Sequence, residues 1–338
     1  MNIFLLLSSL FYCSWNYRFD STNNHFNLVY PDKNAVYFGM IVPTGTEQII
    51  IKSADLLNKS QMPIHPTAKY FSIQIYSVGD LVVPAYYFKD VDLMTTNEVM
   101  DKTSRYEISL TLDPSRSYFA LFRIYDTLIN IKHPDFVYYW SGLPPTTMIN
   151  SIEYLLCDID YSQQGNIYTN VTKDVSTDTG TICLKNDVFM FMEAPPGSLM
   201  NADANYMIAC IQPNTHYTVI IKVPKIMCSI GYSEDDPHPW LNETHDLRYA
   251  SLSVVSTTAP RPTIDTHELP CDATVYTTHI YVNESTPMPG LLYRQLLPNP
   301  HFRESIENAK KKCYDFIQDV NCIKMSMGDY YPVLVKHN

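Results

Sequence analysis

One strand pattern occurs twice in this chain, and it constrains the fold more than any other feature. In the first half Ile49-Ile50-Ile51-Lys52 is followed by Lys69-Tyr70-Phe71-Ser72-Ile73 and later by Leu121-Phe122-Arg123-Ile124-Tyr125. In the second half Val219-Ile220-Ile221-Lys222 is followed by Arg248-Tyr249-Ala250-Ser251-Leu252 and later by Leu292-Tyr293-Arg294-Gln295-Leu296. A β pattern repeated across two halves predicts two similar units, with Lys52 superposed on Lys222, Tyr70 on Tyr249 and Arg123 on Arg294. The competing reading is that amphipathic strands resemble one another through alternation alone.

Apolar and β-branched runs of five to nine residues, each bounded by Pro, Asn, Asp or Ser, recur along the chain, as at Val36–Val42, Tyr118–Tyr125 and Thr274–Val282. This is the spacing of an all-β sandwich or jelly roll. With 23 Pro and only 10 Gly, the turns must be built from Pro and Asx residues, and phosphate-cradling glycine loops are disfavoured. One segment has helical period: Phe302, Ile306, Ala309, Cys313, Phe316 and Val320 form a single stripe, Asn299 can cap it, Pro300 suits its first turn, and Glu307 and Lys311 pair one turn apart. The expected architecture is mostly β: a first β-sandwich unit over residues 17–150, a similar second unit over 151–298, and a C-terminal helix and tail over 299–338.

Residues 1–16 read as a secretory leader, because Asn2–Tyr12 is an apolar run too short to span a bilayer but long enough for an h-region. An N-terminal β-strand is the other reading. Asn-x-Ser/Thr sequons at Asn58, Asn170, Asn242 and Asn283 agree with a secretory route. Past the leader stand Cys157, Cys183, Cys210, Cys228, Cys271, Cys313 and Cys322, none in a C-x-x-C pair, which in an oxidising lumen predicts up to three disulfides and one thiol left over. Cys313 and Cys322 are candidates for disulfides; nine residues of unbroken helix would hold them about 13 Å apart, so they can join each other only if the helix ends between them.

The formal charge of −11, from 24 Lys+Arg against 35 Asp+Glu, excludes general electrostatic binding of nucleic acid. No G-x-S-x-G, H-E-x-x-H, G-x-G-x-x-G or Walker-type sequence occurs. The stretch Glu234-Asp235-Asp236-Pro237-His238, followed by Glu243, His245 and Asp246, is the strongest metal-like grouping, but its prolines and its sequon favour an exposed acidic loop, so neither a metal nor a cofactor is expected. No later stretch is long and apolar enough for a transmembrane helix.

Short motifs in the second half, Asn205-Tyr206, Val219 to Pro224, Arg248-Tyr249-Ala250-Ser251, Cys271-Asp272, Arg294 to Phe302 and Tyr330-Tyr331-Pro332, resemble those of a family of secreted, functionally uncharacterised β-rich bacterial proteins with related chains in some eukaryotes and viruses. The first half is similar through Tyr37-Phe38, His65 to Ser72 and Arg123-Ile124-Tyr125. The resemblance implies a fold and a compartment and carries no activity. Ala250 replaces the family's Trp, and Ser253 stands where the family has a half-cystine, which leaves Cys271 to find another partner or stay free.

Six residues are candidates for ligand binding: Lys69, Tyr70, Arg123, Arg248, Tyr249 and Arg294, cations and rings on or beside strands. Such residues either line a cleft for an acidic or carbohydrate ligand or bridge carboxylates between strands. The expectation is therefore a secreted, virion-surface or cell-surface glycoprotein with a binding or assembly role. Its partners would be protein or carbohydrate at a surface, or copies of itself as an oligomer or particle component. The competing function is a hydrolase or carbohydrate-active protein working in a Tyr/Arg-lined cleft between the units.

Overall fold

Alternation of apolar and polar residues sets the strands, and what covers each face decides how apolar a strand becomes. The computed structural model describes residues 13–14, 17–19, 32–52, 70–89, 107–125, 146–156, 185–192, 199–226, 245–257, 263–286, 288–316 and 319–337. In the first unit one sheet runs β2 (Tyr17–Phe19), β3 (Ala35–Val42), β8 (Tyr118–Tyr125), β5 (Tyr70–Ser77) and β6 (Tyr86–Lys89). The second sheet runs β1 (Cys13–Ser14), β10 (Ile152–Leu156), β9 (Thr146–Ile149), β4 (Gln48–Lys52) and β7 (Glu107–Thr111).

The second unit repeats this plan. Its inner sheet runs β11 (Met190–Phe191), β12 (Ala204–Cys210), β17 (Pro289–Pro298), β14 (Leu247–Ser256) and β15 (Thr263–Glu268), and its outer sheet runs β16 (Val275–Val282), β13 (Thr215–Lys222) and β18 (Val333–His337). The registers agree residue by residue. Arg123 lies opposite Tyr37 on one side and Ser72 on the other, as Arg294 lies opposite Tyr206 and Ser251. Lys52 and Lys222 each end a strand of an outer sheet that is paired on both sides. The two halves are therefore similar β-sandwich units, and the paired residues are counterparts.

Three cores hold the stack together. Phe38, Ile49, Ile73 and Phe122 belong to the core inside the first unit, and Val219, Leu252, Phe302 and Met327 to the core inside the second. A third joins the inner sheets of the two units and draws Tyr37, Tyr70 and Tyr125 from one and Leu199, Tyr206, Tyr249 and Leu292 from the other. The order of layers is outer, inner, inner, outer. It explains why β8 is buried at every position: Ala120, Phe122 and Ile124 serve the first core, and Phe119, Leu121 and Tyr125 the third. A strand covered on both faces reads as a continuous apolar run.

Several boundaries differ from the expectation. β10 pairs with β9 through a hairpin whose two turn residues, Asn150 and Ser151, have φ of 47° and 65°, the left-handed values that a two-residue turn needs, so the first unit runs past residue 150. β18 pairs with β13, so the C-terminal tail is part of the second unit's outer sheet. Within the segment expected to be removed as a leader, Cys13–Ser14 pairs with Leu155 and Leu156 of β10.

The predicted single helix is two. Ser305, not Asn299, caps α1 (Ile306–Lys312) by accepting from the Asn308 N–H, and Asp319 caps α2 (Val320–Met327) by accepting from Asn321. The break between them brings Cys313 and Cys322 into a disulfide with Cα atoms 5.9 Å apart. Glu307 and Lys311 pair as the spacing predicted. Cys210 and Cys271 are also disulfide-bonded, so Cys271 does find a partner. Cys157, Cys183 and Cys228 lie outside the described residues. No described helix is long and apolar enough to cross a membrane.

Candidate functional site

Two short turns organise the space between the units. Asp32 precedes β3 by three residues and its carbonyl accepts from Ala35 N at 3.1 Å; Asn201 precedes β12 by three and accepts from Ala204 N at the same 3.1 Å. In each turn the leading side chain also caps the residue two positions on: Asp32 Oδ1 accepts from Asn34 N at 2.9 Å and Asn201 Oδ1 from Asp203 N at 3.1 Å, the Asx geometry that Asp and Asn favour.

Each turn reaches into the other unit. Asp32 accepts from Tyr249 Oη at 2.9 Å, from Ser251 Oγ at 2.7 Å and from the Arg294 guanidinium. Reciprocally, Asn201 Oδ1 accepts from Tyr70 Oη at 3.1 Å and Gln74 Nε2 at 2.8 Å, and Asp203 Oδ2 accepts from Tyr70 Oη at 2.5 Å. Asn34 Nδ2 donates to Tyr249 Oη at 3.1 Å. The turns read Asp-Lys-Asn in one unit and Asn-Ala-Asp in the other: carboxylate and amide have exchanged places.

The two arginines lie on the same buried surface. Arg123 donates to Gln74 Oε1 at 2.6 Å, to Tyr76 Oη at 2.8 Å and to the Leu199 carbonyl of the other unit. Arg294 stacks 5.3 Å from the Tyr206 ring and 5.8 Å from that of Tyr125, and Tyr125 packs edge-on against Tyr249 at 5.4 Å and Tyr70 at 5.7 Å. Burial opposes the charge of Arg294, but the neighbouring Tyr125, Asp32, Tyr206 and Tyr37 outweigh it and hold its pKa well above the ordinary guanidinium value. Burial pushes the phenols of Tyr37, Tyr70 and Tyr249 well above their usual range, which keeps them as neutral donors.

The Tyr/Arg-lined cleft of the competing reading is therefore closed at these residues. Tyr70 and Tyr249 are fully buried and Arg123 and Arg294 are 2% exposed, because alternation turns them toward the opposing unit, where protein atoms take their hydrogen bonds. Arg248, one position out of step with Tyr249, is half-buried. Lys69 lies outside the described residues, as do Asn58, Asn170 and Asn242. Asn283 is exposed in the turn after β16, where Oδ1 accepts from Ser285 N at 3.0 Å and from the Ser285 hydroxyl. The acidic stretch 234–243 is likewise undescribed; beyond it, Asp246 accepts from Lys225 N at 2.9 Å and pairs with His301 Nε2 at 3.1 Å. Among the described residues no group of three or more His, Cys, Asp or Glu is placed to hold a metal ion.

The outward face of the second unit's outer sheet carries a cluster that the sequence reading missed. Thr218 Oγ1 on β13 lies 2.9 Å from His279 Nδ1 on β16 and 2.7 Å from His337 Nε2 on β18, and His216 stacks on Tyr281 at 4.6 Å. One hydroxyl can donate to only one imidazole, so at least one of the two rings donates to it. In the first unit the matching pair, Gln48 opposite Thr111, carries no ring. The only sequence signals were His216-x-Thr218 and His279-x-Tyr281, two alternations whose strands had first to be paired.

No protein-family model matches the chain, and the comparison with curated proteins gives no match. Among solved structures, the chain is similar to an uncharacterised protein from Burkholderia cenocepacia, 8% identical with a TM-score of 0.49 over 97% of this chain and 83% of that one. A protein from Vibrio parahaemolyticus is 9% identical with a TM-score of 0.37, covering 91% and 90% of the two chains. Tomato vicilin is 8% identical with a TM-score of 0.19, covering 89% and 88%.

Proposed function

We propose that this chain is a secreted glycoprotein of a virion or cell surface, with a binding or assembly role and no catalysis. The observation that carries the reading is the seam between the units. The ionisable and hydroxyl groups that the repeat shares are spent on joining two sandwiches: Asp32 is held by Tyr249, Ser251 and Arg294, and Asp203 by Tyr70. A buried network of this many hydrogen bonds serves rigidity, and it leaves the outer faces and strand edges as the surfaces for recognition.

Two further observations support the secretory part. Four described cysteines are in disulfides, a usage that oxidising compartments favour. Asn283 presents its sequon on an exposed turn. Expression in a secretory host, followed by intact-mass analysis of medium and cells with and without glycosidase, tests the reading. The expected product is in the medium, shortened at the N-terminus and heavier by at least one glycan; an intracellular product that keeps Met1 and carries no glycan overturns it.

A further inference from the structure

The outer sheet of the second unit ends at β18, and among the described residues no strand lies beyond it. Its counterpart in the first unit is β9, since β9 pairs with β4 as β18 pairs with β13. There the far side of β9 is covered by β10 in antiparallel pairing, with Ile152 opposite Ile149 and Tyr154 opposite Thr147. The duplicated unit thus shows what this edge accepts, an antiparallel strand.

Open edges are ordinarily guarded by an outward charge, a proline or a bulge. Within β18 the single cation, Lys336, is drawn away to Gln212 Oε1 at 2.7 Å and Asp187 at 3.6 Å. On the outward face Val333 and Val335 stay 49% and 39% exposed. β18 contains no proline and no carboxylate.

We propose that β18 pairs antiparallel with β18 of a second copy of this chain, joining two three-stranded sheets into one across a two-fold axis. This rests on the assembly role argued above and names the partner. Self-pairing is isologous and closes at a dimer. Centred on Val335, it sets that residue against its own copy, Val333 against the partner's His337, and Leu334 against the partner's Lys336, so no like charges face each other. The net charge of −11 repels only within a Debye length of about 8 Å at physiological salt, and β18 adds no negative charge to it.

Sedimentation velocity on the full-length protein tests this. The wild type is expected to dimerise, and Val333→Lys and Val335→Lys are each expected to weaken the dimer at least about tenfold, roughly 1.4 kcal/mol. Val275→Lys, on the opposite edge strand of the same sheet and 54% exposed, is expected to leave it unchanged. Should the lysine variants fail to fold, Val335→Cys provides the readout: the two-fold predicts a reducible covalent dimer, and Val275→Cys none. A wild type monomeric at every concentration, a dimer lost through Val275→Lys and kept by Val335→Lys, or no cross-link from Val335→Cys overturns the pairing. A secreted, glycosylated monomer would overturn this inference alone and leave the proposed compartment standing.

Discussion

Asp32 and Arg294, 262 positions apart in the chain, form an ion pair with both side chains buried, at 0% and 3% exposed. It crosses from the turn before β3 of one unit to β17, the central strand of the other unit's inner sheet. Its counterpart is not ionic: Asn201 takes the place of Asp32, and Arg123 is satisfied by Gln74, Tyr76 and a carbonyl. The arginines and tyrosines recur in both units while their acceptors differ, so the two sides of the seam are held by different bonds.

Removing Asp32 should be among the most damaging substitutions in the protein. Asp32→Ala strands the buried Arg294 charge and takes the acceptor from Tyr249 and Ser251, and breaking a buried pair in this way costs about 3–5 kcal/mol. Asp32→Asn keeps an acceptor and should cost less, and Asp32→Ala combined with Arg294→Met should recover part of the loss. Urea unfolding of the four proteins measures this; equal stability of Asp32→Ala and wild type would contradict the role given to the pair.

The protein should unfold in alkali. Burial raises the phenols of Tyr76, Tyr217 and Tyr331 to about 12, whereas in the unfolded chain they ionise near 10. Above about pH 10 the unfolded state loses protons that the folded state keeps. The stabilisation is thus complete below about pH 10 and is lost as pH rises toward 12, by about 1.4 kcal/mol per pH unit for each ring. Tyrosinate absorbance recorded with circular dichroism should show these rings ionising together with loss of β structure, and not before it.

The sequence displays the repeat because Ile-Ile-Lys and Tyr-x-Ser recur in both halves and their phase survives in the registers of Arg123 and Arg294. It does not display which way those residues face. A strand buried on both sides gives no apolar face by contrast with a polar one, so the sequence alone leaves Tyr70 and Arg123 open to either a cleft-lining or an interior place. Asp32 gave no signal, since Asp-Lys-Asn is an ordinary turn and its ligands lie in the other unit. The helical stripe through Cys313 hid two caps, Ser305 and Asp319, because periodicity carries across a break that capping side chains create. Thr218, His279 and His337 meet only after three strands pair.

Gly290 should tolerate no side chain. A Cβ there would stand 2.7 Å from Thr257 Cγ2 and 3.3 Å from the Ala209 carbonyl, and Thr257 is fully buried with its hydroxyl bonded to the Met288 carbonyl at 2.7 Å. The threonine has no free direction in which to move. Gly290→Ala should therefore cost about 1–3 kcal/mol, the usual range for overpacking, and Gly290→Ala with Thr257→Ser, which removes the clashing methyl, should regain most of it. Thermal unfolding of the two variants distinguishes a steric cost from a loss of backbone freedom, which the second change would not repair.

Through its side chain Thr218 on β13 hydrogen-bonds to both neighbouring strands of the outer sheet, β16 and β18. Thr218→Val keeps the β-branched shape and removes the hydroxyl that His279 and His337 share. Each hydrogen bond of this kind is worth about 0.5–1.5 kcal/mol net, and imidazoles this exposed recover part of that from water, so the global loss should sit near the lower end. The local effect should be larger: β18 is an edge strand, and His337 ties its last described residue to β13. Amide exchange across Val333–His337 should quicken in Thr218→Val while exchange in β8 and β17 stays slow. Uniform quickening across all sheets would mean that the hydroxyl supports the whole second unit and not its edge, and unchanged exchange in β18 would mean that the shared hydroxyl does not hold the strand at all.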